Sequence, residues 1–208
     1  MQKISATLPD LVADIGGTNA RFALVDAHRQ FYAEQTLACA DFPGLTAAGN
    51  AFLQSVGGVR PKRAAVAVAT PITGDWIQFT NSAWSFSTEA VRRELELEQL
   101  TILNDFTALA LALPLLTPEE RRAVGGGAAV ADAPIALIGP GTGLGVSGLV
   151  WSGQRWIPLQ TEGGHVTFSP MNEREWTISR ILQRQFGHVS PERLLSGPCL
   201  VNLYHALA

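Results

Sequence analysis

The chain has 208 residues, of which 47% are hydrophobic and 16% charged, a composition typical of a globular protein rather than a disordered one. The formal net charge of −3 gives no overall attraction to nucleic acid or to an anionic membrane, so neither is expected as a partner. The chain has no apolar stretch that could span a bilayer, no signal-peptide pattern and only two isolated cysteines, Cys39 and Cys199, which together predict a cytoplasmic protein without structural disulfides or zinc.

The first strong pattern is a Gly-Gly-Thr-Asn turn between two apolar runs, which predicts a β-hairpin over residues 11–26. Gly16 and Gly17 lack side chains, so backbone N–H groups in the turn can approach an anion closely. The threonine and asparagine that follow add side-chain donors. Asp14 lies at the end of the first strand, where a carboxylate can hold a hydrated metal. The stretch therefore predicts a site for a phosphate that carries a cation.

The next part of the chain predicts alternating helices and strands. Helical spacing favours a helix over residues 47–56, which a Gly-Gly pair ends. A run of small apolar residues at 64–69 predicts a central strand covered on both faces, as in parallel sheets. Ser87 is placed to cap a helix over residues 88–97, and Trp84 is expected in the core.

A short apolar strand at residues 100–103 ends in Asn104 and Asp105, and an apolar helix is predicted over 106–113. Ligands of open α/β sheets bind beyond the carboxyl ends of the strands, so this polar pair is placed for function. The alternative is that Asp105 only caps the N-terminus of the helix.

The hairpin pattern recurs at residues 135–150, where two apolar runs flank a Gly-Pro-Gly-Thr-Gly turn. Aligned on Gly17 and Gly141, both stretches consist of a strand, a Gly-Thr turn and a strand, which predicts one phosphate-binding hairpin used once in each half of a bilobal protein. The alternative for either copy alone is an ordinary glycine-rich hairpin. Neither copy is a P-loop, because the only lysines are Lys3 and Lys62.

Polar residues follow in the last third of the chain. Glu162 and His165 place an acid and an imidazole three residues apart in a glycine-containing loop. Asn172 predicts the start of a helix that ends at Phe186. Glu192 opens a further helix, and its alternative role is to complement the helix dipole.

Five stretches occur in the order seen in bacterial glucokinases, a family of the actin, hexokinase and Hsp70 superfamily, and the resemblance covers essentially the whole chain. They are DIGGTNAR at 14–21, LNDFTA at 103–108, GTGLGV at 141–146, EGGH at 162–165 and ERLLSGP at 192–198. PITGDW at 71–76 and the Thr80-Asn81 pair are also similar to that family.

The resemblance implies an α/β fold of the bilobal, ribonuclease-H-like (actin-like ATPase) type, with a mixed sheet flanked by helices. Residues 1–107 would form a small N-terminal lobe with the first phosphate hairpin. Residues 108–208 would form part of a larger lobe with the second hairpin and the sugar-binding residues. Family members continue beyond position 208, so we expect an incomplete second lobe without the adenosine-binding segment, and weak glucose binding with little or no turnover from these residues alone.

The resemblance also implies an ATP-dependent glucokinase, which transfers the γ-phosphate of ATP to the 6-hydroxyl of D-glucose with Mg²⁺ as cofactor, in a family whose members are commonly homodimers. Asp105 would be the catalytic base and would contact the sugar. The remaining sugar-binding residues would be Asn104, Gly143, Glu162, His165 and Glu192. The residues at the phosphates of ATP would be Asp14, Gly16, Gly17, Thr18, Asn19, Gly141 and Thr142, with Asp14 holding the metal through water.

Two other functions are compatible with the same scaffold. A non-catalytic sugar sensor or regulator would bind glucose without needing the carboxylate of Asp105 as a base. An actin-like or chaperone-like ATPase would use similar hairpins, but it would not need a ring of polar groups for a sugar. Both turns lack lysine. In a kinase or an ATPase, backbone N–H groups, Mg²⁺ and Arg21 are therefore expected to balance the charge of the phosphates.

Overall fold

The computed structural model describes residues 8–79 and 83–207, so the Thr80-Asn81 pair lies outside the described residues. The chain divides into two compact units, Met1–Ala108 and Leu109–Ala208. Among the helices that the structure describes, none is long and apolar enough to cross a membrane.

The first unit is built on strands, with two helices between them and a third that begins near its end. The strands are β1 (Asp10–Ile15), β2 (Asn19–Val25), β3 (Phe31–Ala38), β4 (Arg63–Val68), β5 (Trp76–Gln78), β6 (Ser85–Ser87) and β7 (Gln99–Asn104). The helices are α1 (Leu45–Ser55), α2 (Thr88–Glu94) and α3 (Asp105–Ala112).

Five of these strands form a mixed sheet in the order β3-β2-β1-β4-β7. Strands β1, β2 and β3 are antiparallel neighbours, which confirms the predicted first hairpin. Strand β4 pairs in parallel with β1 on one side and with β7 on the other, so it is an interior strand of the sheet, as predicted. The short strands β5 and β6 pair separately.

The core of the first unit lies on one face of this sheet, where alternate side chains of β1, β2 and β4 pack with α1 and α2. Phe22 of β2 stacks on Phe52 of α1 with ring centroids 5.4 Å apart. The prediction that β4 is covered on both faces is wrong, because Ala65 is exposed while Ala64 and Val66 are buried. A run of small apolar residues has no period, so it does not reveal that only one face meets the core.

The ends of the helices follow local chemistry. Helix α1 stops before Gly57 and Gly58, whose φ angles of 93° and 71° lie in the left-handed region that glycine favours. The Ser87 side chain accepts a hydrogen bond from the N–H of Ala90, so it caps α2 as predicted. The helix ends at Glu94 rather than at the predicted position 97, because Glu96 takes a φ of 56° that a right-handed helix cannot continue through.

After the end of α3, the described residues of the second unit form an antiparallel sheet and three further α-helices, with short 3-10 turns between them. The strands are β8 (Ile135–Pro140), β9 (Leu144–Trp151) and β10 (Trp156–Leu159), in the order β10-β9-β8, which confirms the second predicted hairpin. The helices are α4 (Glu173–Phe186), α5 (Glu192–Leu195) and α6 (Leu200–Leu207). Asn172 caps α4 through the N–H of Glu175, as predicted. A small core forms around Ile178, Leu182, Val189 and Leu194.

We predict that Phe52→Ala lowers the free energy of unfolding of the first unit by about 3–5 kcal/mol, because Phe52 is fully buried and its removal leaves a cavity beside Phe22. Native-state hydrogen exchange of the β1 and β4 amides measures this loss. Phe31→Ala is the matched control, because that ring is 63% exposed and its loss should cost less than about 0.5 kcal/mol. Equal losses for the two variants would contradict the proposed position of the core.

Candidate functional site

The first group of predicted site residues lies at one edge of the five-stranded sheet. In the parallel register Ile15 is opposite Val68, and Val68 is opposite Asn104. The carboxyl ends of β1, β4 and β7 are therefore level, and β1 and β7 are separated by only one strand, about 10 Å. This register brings Asp14, at the end of β1, to the same edge as Asn104 and Asp105.

The Asn104 side chain holds Asp105 in place and caps α3. Its Oδ1 accepts hydrogen bonds from the N–H groups of Phe106 at 3.0 Å and Thr107 at 3.2 Å. Its Nδ2 donates to Asp105 Oδ1 at 2.9 Å and also reaches the Thr70 carbonyl oxygen at 3.5 Å. The capping role considered for Asp105 thus belongs mainly to Asn104.

Asp105 has one carboxylate oxygen bound and one available. Oδ1 accepts hydrogen bonds from Asn104 and from the N–H of Phe106 at 2.8 Å, whereas no donor among the described residues reaches Oδ2. Burial raises the pKa of the Asp105 carboxyl and the negative charge of Asp14 adds to the rise, while the hydrogen bonds from Phe106 and Asn104 oppose it without cancelling it. The arrangement suits a carboxylate that accepts a proton.

Asp14 forms an ion pair across the first hairpin. Its Oδ2 lies 2.9 Å from Nη1 of Arg21, the residue directly opposite on β2. Both side chains are more than half exposed, so the pair contributes little stability, about 0–1 kcal/mol. A half-exposed carboxylate beside the turn remains suited to a hydrated cation, and the guanidinium adds a positive charge at the same place.

The first turn has its hydrogen bonds directed inward. The N–H of Gly16 donates to the Asn19 carbonyl at 2.9 Å, so this N–H is not available to an anion. The carbonyl of Thr18 accepts from the N–H of Cys39 at 2.8 Å, and the carbonyl of Gly16 accepts from the Cys39 thiol at 3.5 Å. The N–H groups of Gly17 and Thr18 have no acceptor in the part of the chain that the structure describes, so they are free to bind an anion.

The second turn has a similar arrangement in the second unit. The N–H of Gly141 donates to the Gly143 carbonyl at 2.8 Å, and the Gly141 carbonyl accepts from the N–H of Gly197 at 2.8 Å. The N–H of Leu144 donates to Glu192 Oε2 at 2.9 Å. Thr142 is exposed at the tip. Both predicted phosphate turns therefore fold as tight hairpins whose first glycine is held by a residue outside the hairpin.

Three of the predicted sugar-binding side chains lie together in the second unit. His165 Nδ1 is 3.7 Å from Glu192 Oε1, and His165 Nε2 is 3.9 Å from Glu162 Oε2. Both distances are longer than hydrogen bonds, so the polar atoms keep capacity for another partner. Glu192 is the most buried of the three and begins the four-residue helix α5. Because it also accepts a hydrogen bond from the N–H of Leu144, it does more than complement the dipole of that helix.

A Cβ at Gly143 would lie 2.6 Å from Glu192 Oε2, so a larger residue there would require the Glu192 carboxylate, which accepts from Leu144, to move. Gly164 is confined more strictly, because a Cβ there would collide with the backbone carbonyl of Leu144. Sequence reasoning missed these two packing constraints and the contacts of Cys39 and Gly197 with the two turns. No spacing rule identifies them, because the partners lie far apart in sequence.

The family model described as Glucokinase matches residues 11–208. A curated glucokinase from Aromatoleum aromaticum is 50% identical over 205 residues, which are 98% of this chain and 62% of that protein. The chain spans 31% to 62% of the length of the curated relatives it matches.

Solved structures have the same fold. The crystal structure of a glucokinase from an Antarctic psychrotroph is 39% identical, with a TM-score of 0.84 over 96% of this chain and 64% of that one. A glucokinase from Balamuthia mandrillaris, solved in complex with glucose, is 21% identical, with a TM-score of 0.71 over 95% of this chain and 62% of that one. These neighbours confirm the predicted α/β fold class, with a mixed sheet flanked by helices.

We predict that Asp105→Asn stabilises the protein at neutral pH. A carboxyl whose pKa is raised on folding opposes folding when ionised, and this cost disappears as the pH falls and the carboxyl becomes protonated. Urea unfolding of wild type and variant across pH should therefore show an advantage at pH 7 that shrinks toward acid pH.

Asp75→Asn is the matched control with the opposite sign. The pKa of Asp75 is lowered by a hydrogen bond with the Ser87 side chain and by the N–H of Glu89. Its ionised form therefore stabilises the fold above the ordinary aspartate pKa, and the variant should lose stability at neutral pH. A loss of stability at pH 7 in Asp105→Asn, like that of the control, would contradict the environment assigned to Asp105.

Proposed function

Because the chain belongs to the glucokinase family, we propose that the protein transfers the γ-phosphate of ATP to the 6-hydroxyl of D-glucose. The observation that carries the proposal is the state of Asp105: one oxygen is fixed by Asn104 and Phe106, the other accepts no hydrogen bond from the described residues, and the pKa is raised. A sensor that only binds sugar does not need a carboxylate held in this way.

In the proposed reaction Asp105 accepts the proton of the sugar 6-hydroxyl. The oxygen then bonds to the γ-phosphorus, and the bond from that phosphorus to the bridging oxygen breaks, so that ADP leaves with the electron pair. A carboxylate with a raised pKa is a stronger base than an ordinary aspartate.

We propose that residues 1–107 supply the base and the first phosphate turn, with Gly16 and Asn19 shaping the turn and Gly17 and Thr18 donating N–H groups. Mg²⁺, when bound, neutralises charge on the phosphates. The Asp14 carboxylate fits it as a ligand through water, because it is an exposed hard oxygen donor beside the turn.

Residues 108–208 would supply the second phosphate turn through Gly141 and Thr142, and the polar groups for the sugar. The His165 imidazole lies within 4 Å of a carboxylate oxygen of Glu162 and of one of Glu192, an arrangement of donors and acceptors that suits neighbouring hydroxyls. Glu192, the least exposed of the three, would discriminate against analogues that lack its hydroxyl partner, because its carboxylate would then be left unpaired.

We predict that Asp105→Ala lowers kcat for glucose phosphorylation by about 10²–10⁴-fold in the full-length protein, because the general base is lost. The dissociation constant for glucose, measured by isothermal titration calorimetry, should change much less. Asp10→Ala is the matched control: it removes a carboxylate at the other end of β1, whose partner is Arg63, and should leave kcat unchanged.

Two results would contradict the proposal. Near-normal kcat in Asp105→Ala would show that another group accepts the proton. Glucose binding by the wild-type protein without any glucose 6-phosphate in the presence of Mg²⁺ and ATP would instead identify a sugar sensor.

A further inference from the structure

One buried residue, Cys39, donates two hydrogen bonds to the first phosphate turn. Cys39 begins the short 3-10 turn Cys39–Asp41 directly after β3 and is 4% exposed. It provides two donors to the turn, its N–H to the Thr18 carbonyl at 2.8 Å and its thiol to the Gly16 carbonyl at 3.5 Å. Both carbonyls are thereby turned toward the core.

Fixing a carbonyl also fixes the next N–H. In a planar trans peptide the C=O of one residue and the N–H of the next point in opposite directions. A Gly16 carbonyl that points inward to the Cys39 thiol therefore directs the N–H of Gly17 outward. Glycine has wide conformational freedom, so without this bond the peptide between Gly16 and Gly17 could rotate.

Cys39 is itself anchored. The indole Nε1 of Trp84 donates to the Cys39 carbonyl at 3.2 Å and to the Phe42 carbonyl at 3.0 Å. Trp84 is 3% exposed and belongs to the main core of the unit. Burial raises the pKa of the Cys39 thiol, so the sulfur keeps its proton and remains a donor at neutral pH.

In the second turn a glycine carbonyl is also fixed by a hydrogen bond, but from a backbone N–H rather than a thiol. There the N–H of Gly197 donates to the Gly141 carbonyl at 2.8 Å, which by the same geometry directs the N–H of Thr142 away from that contact. The first glycine of each turn thus has its carbonyl held by a residue outside the hairpin. The two glycines are not equivalent in sequence, since Gly141 aligns with Gly17, but in both turns a donor outside the hairpin fixes a glycine carbonyl.

We propose that Cys39 is a positioning residue of the first phosphate turn: its thiol holds the Gly16 carbonyl so that the N–H of Gly17 points toward a phosphate of ATP. The inference rests on the proposed function, because it assumes that this turn binds phosphate. Because Cys39 is buried, it would act only through the turn.

The test compares Cys39→Ala with Cys39→Ser in the full-length protein. Calorimetry measures the dissociation constants of Mg·ATP and of glucose, and spectra of protein labelled with ¹⁵N-glycine follow the Gly17 amide as Mg·ATP is added. Cys39→Ala should weaken Mg·ATP binding about three- to tenfold and reduce the shift of the Gly17 signal, with glucose affinity changed less than twofold. Cys39→Ser should recover most of the loss, because a hydroxyl also donates to the Gly16 carbonyl.

Val66→Ala is the control for general destabilisation, because Val66 is a buried core residue of β4 and none of the hydrogen bonds to the turn involves it. It should lower stability without changing the affinity for Mg·ATP. Wild-type affinity in Cys39→Ala, or an equal loss in Cys39→Ser and Cys39→Ala, would overturn the inference and leave the proposed function standing. No Mg·ATP binding and no Gly17 shift in the wild-type protein would overturn the proposed function and the inference together.

Discussion

The parallel register of β1, β4 and β7 is the constraint on which the candidate site of the first unit depends. It sets Ile15, Val68 and Asn104 level, so residues from β1 and β7, the two neighbours of β4, reach the same edge of the sheet. Two carboxylates, those of Asp14 and Asp105, are therefore close enough to interact, and their repulsion adds to burial in raising the pKa of Asp105. A slip of one residue in either pairing would turn these side chains to the opposite face.

Neither glycine turn contains a lysine, so backbone N–H groups are the donors that each turn offers to an anion. Each turn closes with a hydrogen bond from its first glycine, which leaves the following N–H groups directed outward. In the second unit Glu192 connects this backbone to the polar cluster, since one of its oxygens accepts from Leu144 and the other faces His165.

Much of the local structure could be predicted from the sequence, because hairpins, helix caps and helix ends depend on residues a few positions apart. Ser87 and Asn172 cap helices as predicted, and both glycine turns join antiparallel strands. The remaining features depend on distant partners: Cys39 reaches Gly16 across 23 positions, and Glu192 reaches Leu144 across 48. The spacing of apolar residues along the sequence does not detect such distant pairs. It also does not reveal that only one face of β4 is buried, because the residues of that strand are nearly all apolar.

The ionisation of Asp105 is the most direct test of this account. A ¹³C NMR titration of the aspartate side chains can follow its carboxyl in the wild-type protein and in Asp14→Asn. The pKa of Asp105 should lie above the ordinary aspartate value of 3.8 and should fall once the charge of Asp14 is removed. A pKa at or below 3.8 in the wild-type protein, or one that Asp14→Asn leaves unchanged, would contradict this expectation.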